Sequence, residues 1–505
     1  MTPPDLNLSV VGPIVWVGLG AMVVLMGEVF LSRRKTFLGR RMTESTVGSL
    51  LALVAMASLG LAAYMAIGQA VSGAPQSFNP ENPMFQLDRF SALITAVIAF
   101  ASLLCCALSI AYLDELHINH GEYYALVLFA TSGMMMMVAA VDMLPVFLGL
   151  ELMSIPIYVL SGFDRRRLRS NESAMKYFLM GSFASAILLY GVALLYGVSG
   201  ATSFVAIRAA FDASNPMAVA GLSLVIVGFA FKISSVPFHQ WTPDVYEGAP
   251  SSVTAFMSVT VKVAAISALM RVLALSFEPL GDLLRDVLWV LAALTVVVGN
   301  LMAIIQDNVK RLLAYSSIAH AGYLLIGFVP GSVEGYSAVV FYLICYLFMN
   351  LGAFAVVVAL AHRGQDCERV QSFAGLAKSR PALAALMTLF MISLAGIPGT
   401  AGFMGKWLIF AAAVQAGQLP LAILGVLMSV VSVYYYLRIP VLMYMSEPAE
   451  EEPRMELDSF EAVVLGVCAA GVLYLGLSPN GSLPILGQLP VLDWARQSVD
   501  LLFAS

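Results

Sequence analysis

The chain has 505 residues, 60% of them apolar and only 11% charged, whereas soluble domains carry roughly a quarter charged residues. With a mean hydropathy of +0.88, an ordinary soluble enzyme is excluded. The formal net charge of −5, from 26 basic and 31 acidic residues, leaves no basic excess of the kind that nucleic acid attracts.

A membrane helix needs about 20 apolar residues. Apolar stretches fall near 10–31, 47–67, 89–112, 122–141, 143–161, 172–197, 217–237, 251–273, 285–305, 312–329, 336–361, 383–415, 421–444 and 458–478. The sequence therefore predicts an all-α polytopic membrane protein of about 14 transmembrane helices. Asp5 precedes the first apolar run, and Arg33, Arg34, Lys35, Arg40 and Arg41 follow it. A secretory signal has its positive charge first, so this run reads as an uncleaved first span.

Alternating connections differ sharply in basic residues. One side holds Arg33, Arg34, Lys35, Arg40, Arg41, Arg165, Arg166, Arg167, Arg169, Lys310, Arg311, Arg363, Arg369, Lys378, Arg380 and Arg454; the other holds Arg89, Arg208, Arg271, Arg285 and Arg496. The positive-inside bias makes the first set cytoplasmic, and an even number of spans then leaves both termini outside. Lys176, Lys232, Lys262, Lys406 and Arg438 remain, all within predicted spans.

Two spans are interrupted. The seventh contains Ser234-Ser235-Val236-Pro237, and the twelfth contains Gly396-Ile397-Pro398-Gly399-Thr400-Ala401-Gly402. Proline removes a backbone donor and clashes with the preceding turn. Backbone freed at membrane depth survives only where protein or water satisfies it. The two prolines are separated by five spans, an odd number, so the broken helices run in opposite senses, as in an inverted-repeat transporter. The expected organisation is an N-terminal three-helix segment (1–121), a first half (122–284), an inverted second half (285–445), each half a five-helix repeat with one broken helix, and a C-terminal helix and tail (446–505).

Glu151, Lys232, Lys262, His320 and Lys406 fall near the middle of separate spans. A charge at the bilayer centre costs at least ~2.5 kcal/mol, so such residues normally face a protein interior or water and carry function. Burial and neighbouring charge both act on protonation, so a buried lysine can exchange a proton when its partner or hydration changes. The bland alternative for each is a static ion pair or a snorkelling chain. Lys176, close to the cytoplasmic arginine cluster, suits either reading. Arg438 reads as an interfacial anchor, and Glu28 as a group within reach of the interface. His239, two residues beyond Pro237, can relay at the break or merely cap it, and His320 can equally be a satisfied core histidine. His117 and His120 read as solvent-facing. The cysteines Cys105, Cys106, Cys345, Cys367 and Cys468 form no Cys-x-x-Cys pair, and no Gly-x-Gly-x-x-Gly or P-loop follows a strand-like segment. No cofactor or metal site is expected in the chain.

The stretch from Phe231-Lys232-Ile233-Ser234-Ser235-Val236-Pro237-Phe238-His239 through Thr242-Pro243-Asp244-Val245-Tyr246-Glu247-Gly248-Ala249-Pro250 to Lys262 resembles the signature of the antiporter-like membrane subunits of respiratory complex I, most closely the N type of bacterial NADH–quinone oxidoreductases. Lys310-Arg311-Leu312-Leu313-Ala314-Tyr315-Ser316-Ser317-Ile318-Ala319-His320 and Ala401-Gly402-Phe403-Met404-Gly405-Lys406 are similar to the family as well. The resemblance implies that Glu151 and Lys232 form the first half-channel, that Lys262 connects, that His320 belongs to a central polar axis, and that Lys406 serves the second half-channel. His239 and Lys176 would be auxiliary members. It further implies proton translocation in a bacterial cytoplasmic membrane, with periplasmic termini. The partners would be other membrane and hydrophilic subunits together with lipids, and NADH, FMN, iron–sulfur clusters and quinone would sit in those partner subunits. An Mrp-like sodium/proton antiporter subunit, or a structural subunit that only seals the membrane arm, are the alternatives; a self-contained quinone-reducing enzyme is disfavoured by the missing cofactor motifs. One departure is Gly399-Thr400 after Pro398, where the family leads one to expect a second proline and an apolar residue. The long lateral helix of the L type is not expected.

Overall fold

The computed structural model describes residues 6–32, 36–37, 40–41, 43–72, 75–277, 281–361, 368–447, 457–483 and 487–503. Of the residues weighed above, Asp5, Arg33, Arg34, Lys35, Arg363, Cys367 and Arg454 lie outside these. Among the described residues the chain is all but entirely helical, with strands confined to three two-residue antiparallel pairs.

The first helices are α1 (Gly12–Ser32), α2 (Glu44–Ser72), α3 (Arg89–Glu115), α4 (Gly121–Ala139), α5 (Met143–Ser161), α6 (Leu168–Ser199), α7 (Phe204–Ala210) and α8 (Pro216–Lys232). The middle of the chain forms α9 (Trp241–Gly248), α10 (Ser251–Phe256), α11 (Lys262–Ser276), α12 (Gly281–Ile304), α13 (Val309–Phe328) and α14 (Val333–Ala359). Then follow α15 (Leu376–Ser379), α16 (Pro381–Ala395), α17 (Ala401–Gln415), α18 (Leu419–Met445), α19 (Ser459–Leu477) and α20 (Val491–Phe503). Eleven helical segments among the described residues are long and apolar enough to cross a membrane, and α8, α16 and α17 are shorter apolar helices. A π-helical turn, Met257–Val261, joins α10 to α11.

Two compact units make up the chain: one of Met1–Ile233, Thr260–Leu284 and Gln497–Ser505, the other of Ser234–Val259 and Arg285–Arg496. In the first, α4 packs on α1 and α5, α2 on α3, and α6 on α8, while α11 touches α3, α4, α7 and α8. Gly133 and Gly149 let α4 and α5 meet backbone to backbone: a Cβ on Gly133 would lie 2.7 Å from the Gly149 carbonyl, and one on Gly149 2.8 Å from the Gly133 carbonyl. Such small-residue seams are how membrane helices approach closely without a hydrophobic driving force between them. In the second unit, α14 packs against α10, α16, α17 and α19, and α13 against α9, α17 and α18.

Helix starts follow local chemistry. Asp88 caps α3 through a capping box, accepting from the Ser91 N–H while the Asp88 N–H donates to the Ser91 hydroxyl. Asn308 caps α13, taking the N–H groups of Lys310 and Arg311.

Two assignments from the sequence need correction. Arg271, counted with the outer connections, lies inside α11 and is 1% exposed, its charge compensated by an ion pair with Asp88. Lys310, counted with the cytoplasmic connections, is the second residue of α13 and fully buried, its ammonium donating to the Ala249 carbonyl at 2.6 Å.

Candidate functional site

In the first unit, α8 ends at Lys232; two residues on, Ser234 turns the backbone with a left-handed φ of 63°. Lys232 is 3% exposed. Its ammonium crosses to α5, donating to the Ser154 hydroxyl at 2.7 Å and the Tyr158 hydroxyl at 3.3 Å. It also stands over the rings of Tyr158 and Tyr177, at 5.3 and 5.5 Å from their centroids, a cation–π setting that suits a desolvated charge. Glu151 lies three residues before Ser154, on the same face of α5. No ion pair joins Glu151 to Lys232; the carboxylate's Oε1 is buried without a hydrogen-bond partner. The Lys232 ammonium thus meets the face of α5 that carries Ser154 and Tyr158, with Glu151 one turn earlier on that helix.

Lys262 opens α11 directly after the π-helical turn and is 2% exposed. Such bulges occur frequently at functional sites. Lys176 behaves differently. It pairs with Glu172 one turn earlier on α6 at 2.7 Å, with both side chains substantially exposed. Glu28 accepts the Gly121 N–H at 2.8 Å, at the start of α4, where a helix N-terminus favours negative charge.

In the second unit, the break between α16 and α17 is built around Lys406. α16 is capped by Gly396, whose φ of 88° is left-handed, and Gly399 repeats that conformation at 87°. The departure Gly399-Thr400 therefore keeps the break: glycine supplies a turn no other residue makes cheaply, and Thr400 ties down with its hydroxyl on the Ile397 carbonyl. The Lys406 ammonium, 3% exposed, donates to the carbonyls of Leu394 and Ala395 at 3.1 and 2.9 Å and to the Ser429 hydroxyl at 2.9 Å. Those carbonyls are the orphaned acceptors at the negative end of α16, so three donors meet three acceptors beside a favourable dipole.

His320, fully buried in α13, binds the Tyr342 hydroxyl through Nδ1 at 2.6 Å and the Tyr436 hydroxyl through Nε2 at 3.1 Å. The rings of Tyr323 and Tyr346 flank it. His239 is half-buried after the cis Val236–Pro237 bond, with Nδ1 buried and lacking a partner. Arg438 anchors on Asp307 at 2.6 Å, partly in the open.

Sequence reasoning missed several groups. Asp88 and Arg271 form a buried fork in the first unit. In the second, Arg311 bridges Asp244 and Glu247 at 2.7 and 2.8 Å, and Asn300 joins Tyr323 to Tyr435. An arginine inside the predicted span 251–273 was the available signal for the first. The lone Asn300 and the tyrosines offered none, because isolated aromatics in apolar helices look like filling.

The family described as "NADH:quinone oxidoreductase/Mrp antiporter, TM" matches residues 140–432. A curated relative from Trichlorobacter lovleyi, "NADH-quinone oxidoreductase subunit N", is 44% identical over 502 residues, covering 98% of both chains. The chain belongs to the NADH-quinone oxidoreductase subunit N family. A subunit N of Paramagnetospirillum magneticum is 42% identical, over 88% of this chain and 90% of that protein. Among solved structures, a chain of respiratory complex I from Thermus thermophilus aligns with a TM-score of 0.78 and 32% identity, over 94% of this chain and 99% of that one. A chain of the Mrp complex from Dietzia sp. shares the fold at a TM-score of 0.84 and 23% identity, covering 98% and 97%. The family match spans Glu151, Lys232, Lys262, His320 and Lys406 alike. Among the described residues no cluster of three or more His, Cys, Asp or Glu side chains forms a candidate metal site.

Proposed function

We propose that this chain is a proton-translocating membrane subunit of an NADH–quinone oxidoreductase, working in a bacterial cytoplasmic membrane with both termini periplasmic. Electrons pass through partner subunits that hold NADH, FMN, iron–sulfur clusters and quinone. This chain contributes a buried polar route: Glu151 and Lys232 in the first half, Lys262 and His320 between, Lys406 in the second, with His239 as an auxiliary. Counting α10 with α11 and α16 with α17 as single spans, and adding α8 and α13 to the other long helices, gives about fourteen crossings. The two halves, 122–284 and 285–445, are read as inverted repeats. Each has one titratable amine beside one helix break: Lys232 ends α8, and Lys406 caps α16.

One observation carries the reading. Lys232, Lys262 and Lys406 are 3%, 2% and 3% exposed in apolar helices, where a charge kept for scaffolding alone is too costly. The test is NADH-driven acidification of proteoliposomes carrying the intact complex, with each lysine changed to alanine in turn. Loss of pumping from assembled complexes is expected; undiminished pumping in all three variants would contradict the reading. The subunit N relatives over full length favour it above the Mrp-like alternative, for which the likeness extends to the fold.

A further inference from the structure

The two helix breaks are held in different ways. At the second, an amide at the turn is met inside the broken span itself: the Gly402 N–H donates to the Ser393 hydroxyl at 3.2 Å. At the first, the chain leaves helical geometry at Ser234, and the Phe238 N–H returns to the Ser235 carbonyl at 2.7 Å. The Val236 N–H, one residue before Pro237, goes to another helix. It donates to the Thr295 hydroxyl of α12 at 3.0 Å. The Ser235 hydroxyl lies 2.8 Å from the same oxygen, and Thr295 in turn donates to the Leu291 carbonyl one turn earlier at 2.5 Å. Ser235 and Thr295 are fully buried and Val236 is 7% exposed. An unmet backbone N–H at such a place costs the full desolvation of the group.

Thr295 stands on a close helix seam. Gly299 and Gly322 let α12 and α13 meet backbone to backbone: a Cβ on Gly322 would lie 2.5 Å from the Val296 nitrogen, and one on Gly299 2.6 Å from the Ala319 nitrogen. Val296 follows Thr295, and Ala319 precedes His320. The Thr295 hydroxyl therefore ties the Ser235–Val236 segment to the seam that carries His320, all within the second unit. From the far side of the break, the Thr242 hydroxyl of α9 donates to Ser234 Oγ at 2.7 Å. Along the chain, the held segment lies between Lys232 and His239.

We propose that Thr295 is a positioning residue for the proton route, whose hydroxyl holds the break between Lys232 and His239 in register with the α12–α13 seam that carries His320. This rests on the reading of Lys232 and His320 as members of that route. The test uses the intact complex in proteoliposomes, with NADH-driven pumping measured per assembled complex. Thr295→Val keeps the branched shape and removes the hydroxyl, whereas Thr295→Ser keeps the hydroxyl and removes a methyl group. Thr295→Val is expected to lower pumping roughly five-fold, about what one lost hydrogen bond is worth, and to speed hydrogen exchange in the segment around Val236. Thr295→Ser is expected to restore both to near the wild-type level. A residue that only fills the core would give the reverse order, with valine tolerated and serine the worse. If Thr295→Val fails to assemble, Thr295→Cys decides, because a thiol is a weak donor and a weak acceptor; pumping several-fold below wild type is expected. Wild-type pumping in Thr295→Val or Thr295→Cys, or a loss in Thr295→Ser as large as theirs, would overturn the role of Thr295 and, with Lys232→Ala impaired, leave the proton route standing. Wild-type pumping in Lys232→Ala would overturn both.

Discussion

Arg271 and Asp88, 183 residues apart, form a bidentate fork in which one guanidinium nitrogen donates to Oδ2 at 2.6 Å and another to Oδ1 at 3.3 Å. Both side chains are buried, and the same aspartate caps α3. The pair therefore pins α11 to the start of α3. Removing one partner of a buried pair strands the other charge, at about 3–5 kcal/mol. Arg271→Ala is expected to lower the melting temperature of the complex or the yield of assembled complex in membranes. Arg271→Lys keeps the charge but loses the fork, and should fall between. An Arg271→Ala complex that melts and assembles as wild type would show the fork to be dispensable.

Glu151→Gln and Lys232→Ala are each expected to impair NADH-driven pumping while the complex still assembles. The carboxylate's Oε1 is buried without a partner and the amine is held by Ser154 and Tyr158, so neither variant breaks a direct ion pair. Ser154→Ala should weaken the hold on Lys232 by about 1 kcal/mol and lower pumping less than Lys232→Ala does. Pumping at the wild-type rate in assembled Glu151→Gln would remove Glu151 from the route.

Gly396→Ala is expected to disturb Lys406 from the backbone side. The new Cβ would sit 3.0 Å from Lys406 Cδ, and the left-handed conformation adds roughly 1–2 kcal/mol of strain. Reduced pumping with a modest drop in melting temperature is the expected outcome; a variant unchanged in both would mean that the break tolerates a side chain there.

A reporter fused after Arg169 is expected to read as cytoplasmic and one near Asp212 as periplasmic. The basic cluster Arg165, Arg166, Arg167 and Arg169 motivates the first. At the second position the Asp212 carboxylate is fully exposed and held below its usual range by hydrogen bonds from the Ser214 hydroxyl and N–H, so it remains an anion at any growth pH. The reverse labelling would invert the orientation of every span.

What the sequence reveals here is what the bilayer penalises. Lysines in apolar runs and prolines at membrane depth stand out because lipid offers neither solvation nor backbone partners, so Lys232, Lys406 and both helix breaks could be read directly. Partnerships across long separations could not. Arg271 was counted with the outer connections because its partner, Asp88, lies before a different helix, and the burial of Lys310 went unseen because its acceptor is the backbone of Ala249. Lys176 lies within an apolar run but close to the arginine cluster at its end, and Glu172 one turn away holds it at the surface. The tyrosines around His320 carry no sequence mark at all: only packing brings the hydroxyls of Tyr342 and Tyr436 onto the imidazole.

The most direct test of the proton route compares Lys406→Arg with Lys406→Ala in the reconstituted complex. Lys406 meets two orphaned carbonyls and Ser429, a site that can hold a cation yet gives no fixed countercharge to keep it one. Arginine retains its proton in proteins, whereas a buried lysine can release it. If Lys406 carries protons, Lys406→Arg is expected to lose pumping much as Lys406→Ala does, although it keeps the positive charge beside α16. Full pumping in Lys406→Arg would contradict this, because Lys406 would then supply only a field and the protons would travel elsewhere.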